Sequence, residues 1–152
     1  NTHMEMWGTC HRELMQLAER NTPGLFPAQL CGMDSALKGI LDEEALGDLR
    51  LLQRETGKYM YVLSNERHCH GAAAVLYPGN LAEAAQRLGG SVYILPSSIH
   101  EVILLQDGGK ENGESLHEMI ADINRNQLQE EEVLSDYPYR YEAVTGKVME
   151  VL

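Results

Sequence analysis

The pattern of apolar and polar positions divides the chain near residue 58. Beyond that point, short apolar runs rich in Val, Ile, Leu and Tyr are separated by turn-forming residues, which is typical of strands. The runs predict strands at 58–63, 71–77, 92–95 and 101–105, and two more within 139–151 around a turn at Thr145-Gly146. Two segments with helical signals, 80–90 and 113–127, interrupt these strands.

The two helical segments have different signals. In 80–90, Asn80 can cap the amino end, and Gly89 suits the left-handed position that follows the last turn. In 113–127, apolar residues recur three or four positions apart, which indicates one buried face of a helix. The residues of this face are Leu116, Met119, Ile120 and Ile123.

The part of the chain before residue 58 is predicted to be helical. A segment at about 5–20 places four residues on one stripe, namely Trp7, Cys10, Leu14 and Leu17. A second segment, 27–41, places five apolar residues on one face although its two glycines weaken a helix; these five are Leu30, Met33, Leu37, Ile40 and Leu41. Residues 42–57 form a polar connection.

The order of these elements predicts an α+β fold. After the helical segment 5–44, the pattern is ββα-ββα-ββ over 58–152, and the similar stretches 61–65 and 93–97 hint at an internal duplication. Short connections favour antiparallel pairing, so we expect a mostly antiparallel sheet of about six strands with helices packed on one face. The length predicts a single domain over 1–152.

Charge and cysteine content narrow the classes of function. The chain has 12 Lys and Arg against 23 Asp and Glu, a net charge of −11, which disfavours nucleic acid and anionic membranes as partners. It contains no apolar run that could span a bilayer and no signal peptide pattern. Three widely spaced cysteines, Cys10, Cys31 and Cys69, fit free thiols in a reducing cytoplasm.

One candidate site is the loop between the strands 92–95 and 101–105. Ser97, Ser98, His100 and Glu101 have the residue types of an acyl-transfer triad. A triad needs an imidazole between nucleophile and acid, whereas His100 and Glu101 are neighbours whose side chains point to opposite faces of a strand. A hydrogen-bonded turn explains the same residues and is the favoured interpretation.

A second candidate is the pair His68 and His70. On an extended segment these two imidazoles would share one face and supply half of a zinc or copper site. His100 or Glu101 could supply a third ligand if the two hairpins lie side by side. Two exposed loop histidines without a metal remain the alternative. No nucleotide-binding or zincin motif occurs, so no cofactor is predicted.

Polar residues from several segments are expected to meet at one edge of the sheet. Asn65 ends one strand, the 97–101 loop follows another, and two later segments can reach the same edge. The predicted set is Asn65, Ser97, Ser98, His100, Glu101, Asn124, Ser135 and Asp136. Such convergence suits a small-ligand pocket or a network of hydrogen-bonded turns.

Several strings in the sequence resemble one family of uncharacterised bacterial proteins, a domain of unknown function common in anaerobic gut Gram-positive bacteria. The strings are MWGTCHRELMQLAERNTPGLFP (6–27), MYVLSN (60–65), GAAAVLY (71–77), YILPSSIHEVILL (93–105), ADINRNQL (121–128) and EEVLSDYPYRYE (131–142). The most specific is the LPSS-x-HE string at 95–101. The resemblance implies a bacterial cytoplasmic protein, here a fragment if a longer chain extends upstream, and it implies no activity.

The residues together predict a small cytoplasmic domain that binds an unknown protein or small molecule without catalysis. This expectation rests on a well-punctuated α+β sequence in which no catalytic constellation is assembled. The alternative is a hydrolase or metal-dependent enzyme that uses the loop from Ser97 to Glu101 together with His68 and His70.

Overall fold

A computed structural model of the chain describes residues 2–36, 38, 47, 50–51, 53–54, 57, 59–96, 98–109, 113–127 and 129–151, apart from the side chains of residues 122, 123, 126 and 127. Ser97 and the predicted face residues Leu37, Ile40 and Leu41 lie outside the described residues, as does the side chain of Ile123. Within the described part, no helix is long and apolar enough to cross a membrane.

Six antiparallel strands form one sheet in the order β1-β2-β4-β3-β5-β6, which confirms the predicted α+β fold. The strands are β1 (Ala28–Gly32), β2 (Met60–Asn65), β3 (Val92–Leu95), β4 (Val102–Gln106), β5 (Tyr139–Glu142) and β6 (Lys147–Glu150). The strands predicted at 58–63, 92–95, 101–105 and within 139–151 are therefore confirmed, with ends shifted by one or two residues.

Helices precede the sheet and connect its strands. They are α1 (Thr2–Trp7), α2 (His11–Leu25), α3 (Met33–Ala36), α4 (Asn80–Leu88) and α5 (Gly113–Gln127), with 3₁₀ helices at Gly71–Leu76 and Glu130–Glu132. Gly89 caps α4 in the left-handed conformation as predicted, with φ of 80°. The N-cap of α4 is Gly79 rather than Asn80, whose side chain instead donates to the carbonyl of Ala74 at 2.9 Å.

Helices pack on both faces of the sheet, so the prediction of one covered face is wrong. Alternate residues of β3 point to opposite sides: Val92 and Ile94 meet α4, while Tyr93 and Leu95 meet α5. On the α5 side, Leu116 and Ile120 are buried against the sheet, but Met119 is 37% exposed. Both faces of β3 are apolar, and a strand apolar on both faces requires cover on both sides.

The strand predicted at 71–77 is wrong, because Gly71–Leu76 forms a 3₁₀ helix. Gly71 lies against β2 so closely that no side chain would fit, and Ala72 and Ala74 are buried beside it. Three small residues in succession give a strand little side chain to pack, whereas they let a tight turn approach the sheet. The proposed ββα duplication fails with this strand.

The helix predicted over 27–41 is also wrong, because its first part is the edge strand β1, and among the described residues of this range only Met33–Ala36 is helical. Every residue of β1 pairs with β2, from Ala28 opposite Asn65 to Gly32 opposite Tyr61. Leu30 packs against the core on the α4 side. Apolar spacing alone did not distinguish a helix from a strand here, because the pairing partner β2 lies some thirty residues away along the chain, at Met60–Asn65.

The amino-terminal segment forms two helices, α1 and α2, rather than one helix over 5–20. Glu13 caps the start of α2: its carboxylate accepts hydrogen bonds from the Thr9 hydroxyl at 2.9 Å and the Cys10 backbone at 3.0 Å. Neither helix contributes a buried residue. The predicted stripe of Trp7, Cys10, Leu14 and Leu17 is therefore not core.

An ion pair joins β5 to the end of β4 and makes the free energy of unfolding depend on pH. Arg140 Nε lies 2.7 Å from Asp107 Oδ2. Burial alone would raise the pKa of Asp107, but hydrogen bonds from Arg140, the Gly109 backbone and Tyr93 together hold that pKa below its ordinary value. The carboxylate therefore stabilises the fold at any pH above its unfolded-state pKa.

We expect this stabilisation to disappear as pH falls through the folded-state pKa of Asp107. Below the ordinary pKa of an aspartate, the unfolding free energy of the wild type should fall more steeply with decreasing pH than that of Asp107→Asn, which has no such proton to bind. Urea melts across this range measure the difference. The matched control is Glu131→Gln, an exposed carboxylate, which should leave the slope unchanged; equal slopes for the wild type and Asp107→Asn would contradict the prediction.

Candidate functional site

The predicted polar residues lie mainly where β2 ends and β4 begins. Asn65 is the last residue of β2 and is 2% exposed, while Ser98, also 2% exposed, lies in the loop before β4. His100 is half-buried in the same loop, and Glu101 is half-buried directly before β4. The antiparallel pairing of β2 with β4 brings these two chain segments together.

His100 is bonded to its neighbours at three of its atoms. The Ser64 hydroxyl donates to the His100 carbonyl at 2.7 Å, and the His100 amide donates to Ser98 Oγ at 3.0 Å. The ring nitrogen Nδ1 accepts the backbone N–H of His70 at 3.2 Å. The loop before β4 is therefore joined to the loop after β2 through one histidine.

Asn65 organises the loop that follows β2. Its side-chain oxygen accepts the backbone N–H groups of Arg67 at 3.0 Å and Cys69 at 3.3 Å, and its Nδ2 donates to the Cys69 carbonyl at 2.8 Å. An asparagine that bonds to the backbone two and four residues ahead is a common way to close a turn. This side chain is occupied by its own loop.

The later segments reach the same edge of the sheet. The Ile99 amide donates to the Glu132 carbonyl at 2.9 Å, and the Ser135 amide donates to the Pro96 carbonyl at 3.0 Å. Asn124 Nδ2 lies 2.6 Å from Asp136 Oδ1, which ties α5 to the segment before β5. The Asn124 side-chain oxygen is buried and accepts no hydrogen bond from the described residues.

These contacts form a hydrogen-bonded set of turns in which Asn65, Ser98 and His100 are joined, while Asn124, Ser135 and Asp136 form a second group beside it. Glu101 takes no part in the hydrogen bonds described above. The position of Ser97 lies outside the described residues. The clefts described in this structure lie elsewhere; a mainly apolar one of about 410 Å³, for example, is bordered by His117, Tyr137 and Val151.

The hydrogen bonds of Ser64, Ser98 and His100 do not suit nucleophilic catalysis. Ser98 Oγ accepts an amide proton and is buried, and Ser64 donates its proton to a carbonyl. A serine nucleophile instead needs an accessible oxygen that gives its proton to a base. The His100 nitrogen that could accept such a proton, Nδ1, is directed at the His70 amide.

The histidines do not adopt the extended geometry that the metal hypothesis required. His68 and His70 both have φ of 49°, so the segment is a tight left-handed loop. The rings of His70 and His100 are 5.6 Å apart, and His100 Nε2 is 3.8 Å from Glu132 Oε1. Within the described part of the chain, no three His, Cys, Asp or Glu side chains converge on one metal-sized position.

The tautomer of His100 is a second reason why this residue is unsuited to bind a metal. Because Nδ1 accepts a backbone proton, the proton of the neutral ring lies on Nε2, the atom that faces Glu132. A metal-bound imidazole has the opposite arrangement, in which one nitrogen binds the metal and the other donates its N–H. This geometry favours hydrogen bonding by His100 over metal ligation.

Three important residues of this edge were not among the predicted site residues. Ser64 and Glu132 bond the His100 loop, and Gly71 provides the space in which the 3₁₀ helix touches it. Of these three, only Gly71 could have been identified from the sequence, because a glycine at the start of a run of alanines is typical of close backbone contact. The acidic run containing Glu132 resembles any solvated surface.

We expect His100→Ala to lower the free energy of unfolding by about 1 kcal/mol, because it removes the hydrogen bond that Nδ1 accepts from the exposed His70 amide, together with a ring contact. Urea melts measure the loss. The matched control is His117→Ala on α5, an exposed histidine that also loses a ring contact, with Tyr137 at 5.7 Å between centroids, so it should lower the free energy of unfolding by less. If His100→Ala unfolded at the same urea concentration as the wild type, the ring would not be structural, and the loop before β4 would again be a candidate binding site.

Comparison with known proteins places the chain in a family. A sequence profile of DUF5688, a family of unknown function, matches residues 1–143, so the chain belongs to that family. Searches of curated proteins and of solved structures gave no significant match. The function is therefore inferred from the geometry and the exposed surface of this chain.

Proposed function

We propose that the protein is a non-enzymatic protein-interaction domain and that α1 and α2 provide its contact surface. The observation that carries the proposal is a face of exposed apolar side chains on two helices without buried residues. We call this surface the amino-terminal face; its exposed apolar members are Met6, Trp7, Leu17 and Leu25. Clustered apolar side chains in water usually mark a surface that another molecule covers.

The magnitudes support this choice. Trp7 is 61% exposed, Met6 70% and Leu25 65%, although each is a residue type that normally stabilises a protein by burial. Apolar residues of the core are far less exposed: Leu63, Leu104 and Ile120 are at most 1% exposed. The amino-terminal face stands apart from that core.

The alternative, a hydrolase or metal-dependent enzyme that uses the Ser97–Glu101 loop with His68 and His70, has weaker support. The described serines and His100 are engaged in structural hydrogen bonds, as shown above. A cytoplasmic location is part of the proposal and is supported by cysteines that are all free. A bacterial origin is likewise proposed, from the resemblance carried by the LPSS-x-HE string.

Site-specific photocrosslinking tests the proposal. A photoactivatable phenylalanine analogue at Leu17 should give a discrete protein adduct in cells, because this position lies on the amino-terminal face. The control places the same analogue at Val144, an isolated apolar residue that is 93% exposed on the turn between β5 and β6. Absence of a discrete adduct at Leu17, or the same adducts at both positions, would contradict the proposal.

A further inference from the structure

We infer that the occupant of the amino-terminal face is a second copy of this chain, bound through α2 in antiparallel orientation. The inference rests on the proposed function, since it names the partner of the same surface. Three features of α2 support it: an apolar seam, a charge pattern that complements itself, and local neutrality in an acidic protein.

The seam is formed by Leu14 and Leu17. These two residues are three positions apart and therefore lie on one side of α2, where Leu14 is half-buried and Leu17 is 39% exposed. In an antiparallel pair of helices, Leu14 of one copy lies opposite Leu17 of the other, and the two-fold axis repeats the contact. The two copies then bury four leucines in a continuous seam.

The charges beside the seam select the antiparallel orientation. Glu13 and Arg20 lie on the same flank of the seam, seven residues or about 10 Å apart along the helix. In the register that sets Leu14 opposite Leu17, Glu13 lies opposite Arg20 of the second copy, and the symmetry gives two such ion pairs. A parallel pair in register would leave each Glu13 about 10 Å from the nearest Arg20.

Glu13 is able to make this contact while it caps α2. Its hydrogen bonds from the Thr9 hydroxyl and the Cys10 backbone both use Oε2, and its side chain is exposed to solvent, so a guanidinium can reach the carboxylate. The bond from the Cys10 backbone, with those from the side chains of Thr9 and Cys10, lowers the pKa of Glu13. The carboxylate is therefore charged at neutral pH, and Glu13 is fully accessible at the helix surface.

Local charge favours the same surface for self-association. Residues 2–25 contain Glu5, Glu13 and Glu19 against Arg12 and Arg20, a net charge of −1, while the whole chain carries −11. Two copies of so acidic a protein repel each other over most of their surface. The amino-terminal face is nearly neutral and apolar, so close approach there meets the least repulsion.

Sedimentation equilibrium of the purified chain over roughly 1 to 200 µM tests the inference, since a short helix seam gives a weak interface. We expect a reversible dimer. Leu17→Ser should raise its dissociation constant by about a hundredfold, because two leucines leave the seam. Arg20→Glu should raise it about tenfold, because two attractive pairs become repulsive.

Two matched controls lie on the same helix but away from the seam. Arg12→Glu makes the same charge change as Arg20→Glu, and Met15→Ser removes an apolar residue that is 45% exposed. Both should change the dissociation constant by less than about twofold, since neither side chain points at the second copy in this register. Circular dichroism of each variant verifies that α2 has remained helical.

The orientation has a separate readout. In the proposed register Cys10 lies opposite Asn21 of the second copy, and Cys10 is a free, exposed thiol. Asn21→Cys should therefore form an intermolecular disulfide between positions 10 and 21 on mild oxidation, which peptide mass spectrometry identifies. Within one helix these positions are about 16 Å apart, too far for an internal bond. A bond only between two copies of position 21 would overturn the antiparallel arrangement.

The outcomes separate this inference from the proposed function. A chain that stays monomeric but gives a Leu17 adduct with a different protein overturns self-association and supports the interaction domain. A monomer with no Leu17 adduct overturns both. A dimer weakened as much by Arg12→Glu and Met15→Ser as by Arg20→Glu and Leu17→Ser overturns the α2 seam as the site of contact.

Discussion

Gly71→Ala is expected to lower the free energy of unfolding by about 3 kcal/mol or more, although it adds only one methyl group. An added Cβ at this position would lie 2.5 Å from the His100 carbonyl oxygen and 2.7 Å from the Asn65 nitrogen, and it would overlap Ser64 Oγ. Two of these three neighbours are backbone atoms of the sheet edge. They cannot move without breaking the bonds that join β2 to the loop before β4, and forced overpacking is costly.

Urea melts of Gly71→Ala and of a matched control, Gly90→Ala, test this expectation. Gly90 also has a backbone conformation open to other residues, and a Cβ there would meet nothing within 4 Å. The control should melt like the wild type or slightly above it, because alanine restricts the unfolded chain more than glycine. If both variants melted alike, the close contact between the 3₁₀ helix and the sheet would be disproved.

The same contact explains why residues 71–77 do not form the strand that their sequence predicts. The run GAAAVLY has the apolar character of a buried strand, but only part of it is buried: Ala72 and Ala74 are at most 4% exposed, whereas Leu76 is 73% exposed. Burial was predicted only in part, and the backbone conformation was predicted wrongly, since it depends on Ser64 and His100, which come from other parts of the chain. The local sequence pattern shows how apolar a segment is, but it does not show which other segments will contact it and so determine its conformation.

The candidate site shows the same limit. The convergence of Asn65, Ser98 and His100 followed from strand ends that the sequence marked clearly, because turn-forming residues stop each strand. The direction of each hydrogen bond did not follow, and that direction decides the chemistry. Ser98 and His100 each accept a backbone N–H, so both are structural here. A sequence does not distinguish such a pair from a nucleophile and its base, because the residue types are the same.

The amino-terminal helices illustrate a third case. The spacing of Leu14 and Leu17 correctly predicted a helix, and it also predicted a stripe that packs on something. Periodicity contains no information about whether that partner lies in the same chain. The exposure of Leu17 separates the two possibilities, and this is why the face became the basis of the proposed function.

Ile120→Ala is expected to be the other large loss, about 2–5 kcal/mol, because a deep aliphatic side chain would leave a cavity. Ile120 is 0% exposed and packs with Leu116 against Tyr93, Leu95 and Leu105 on the α5 face of the sheet. Among the described side chains of α5, Leu116 and Ile120 are the two that belong to this cluster, so truncating Ile120 removes much of the described contact with this side of β3.

The matched control is Met119→Ala, the adjacent residue on α5. Met119 is 37% exposed and was predicted from spacing alone to share the buried face, so the pair separates burial from helix propensity. Its truncation should cost less than about 1 kcal/mol, since alanine favours helix and little buried surface is lost. Urea melts with unchanged slope give both values. A loss under about 0.5 kcal/mol for Ile120→Ala, or equal losses for the two variants, would show that α5 does not cover the second face of the sheet.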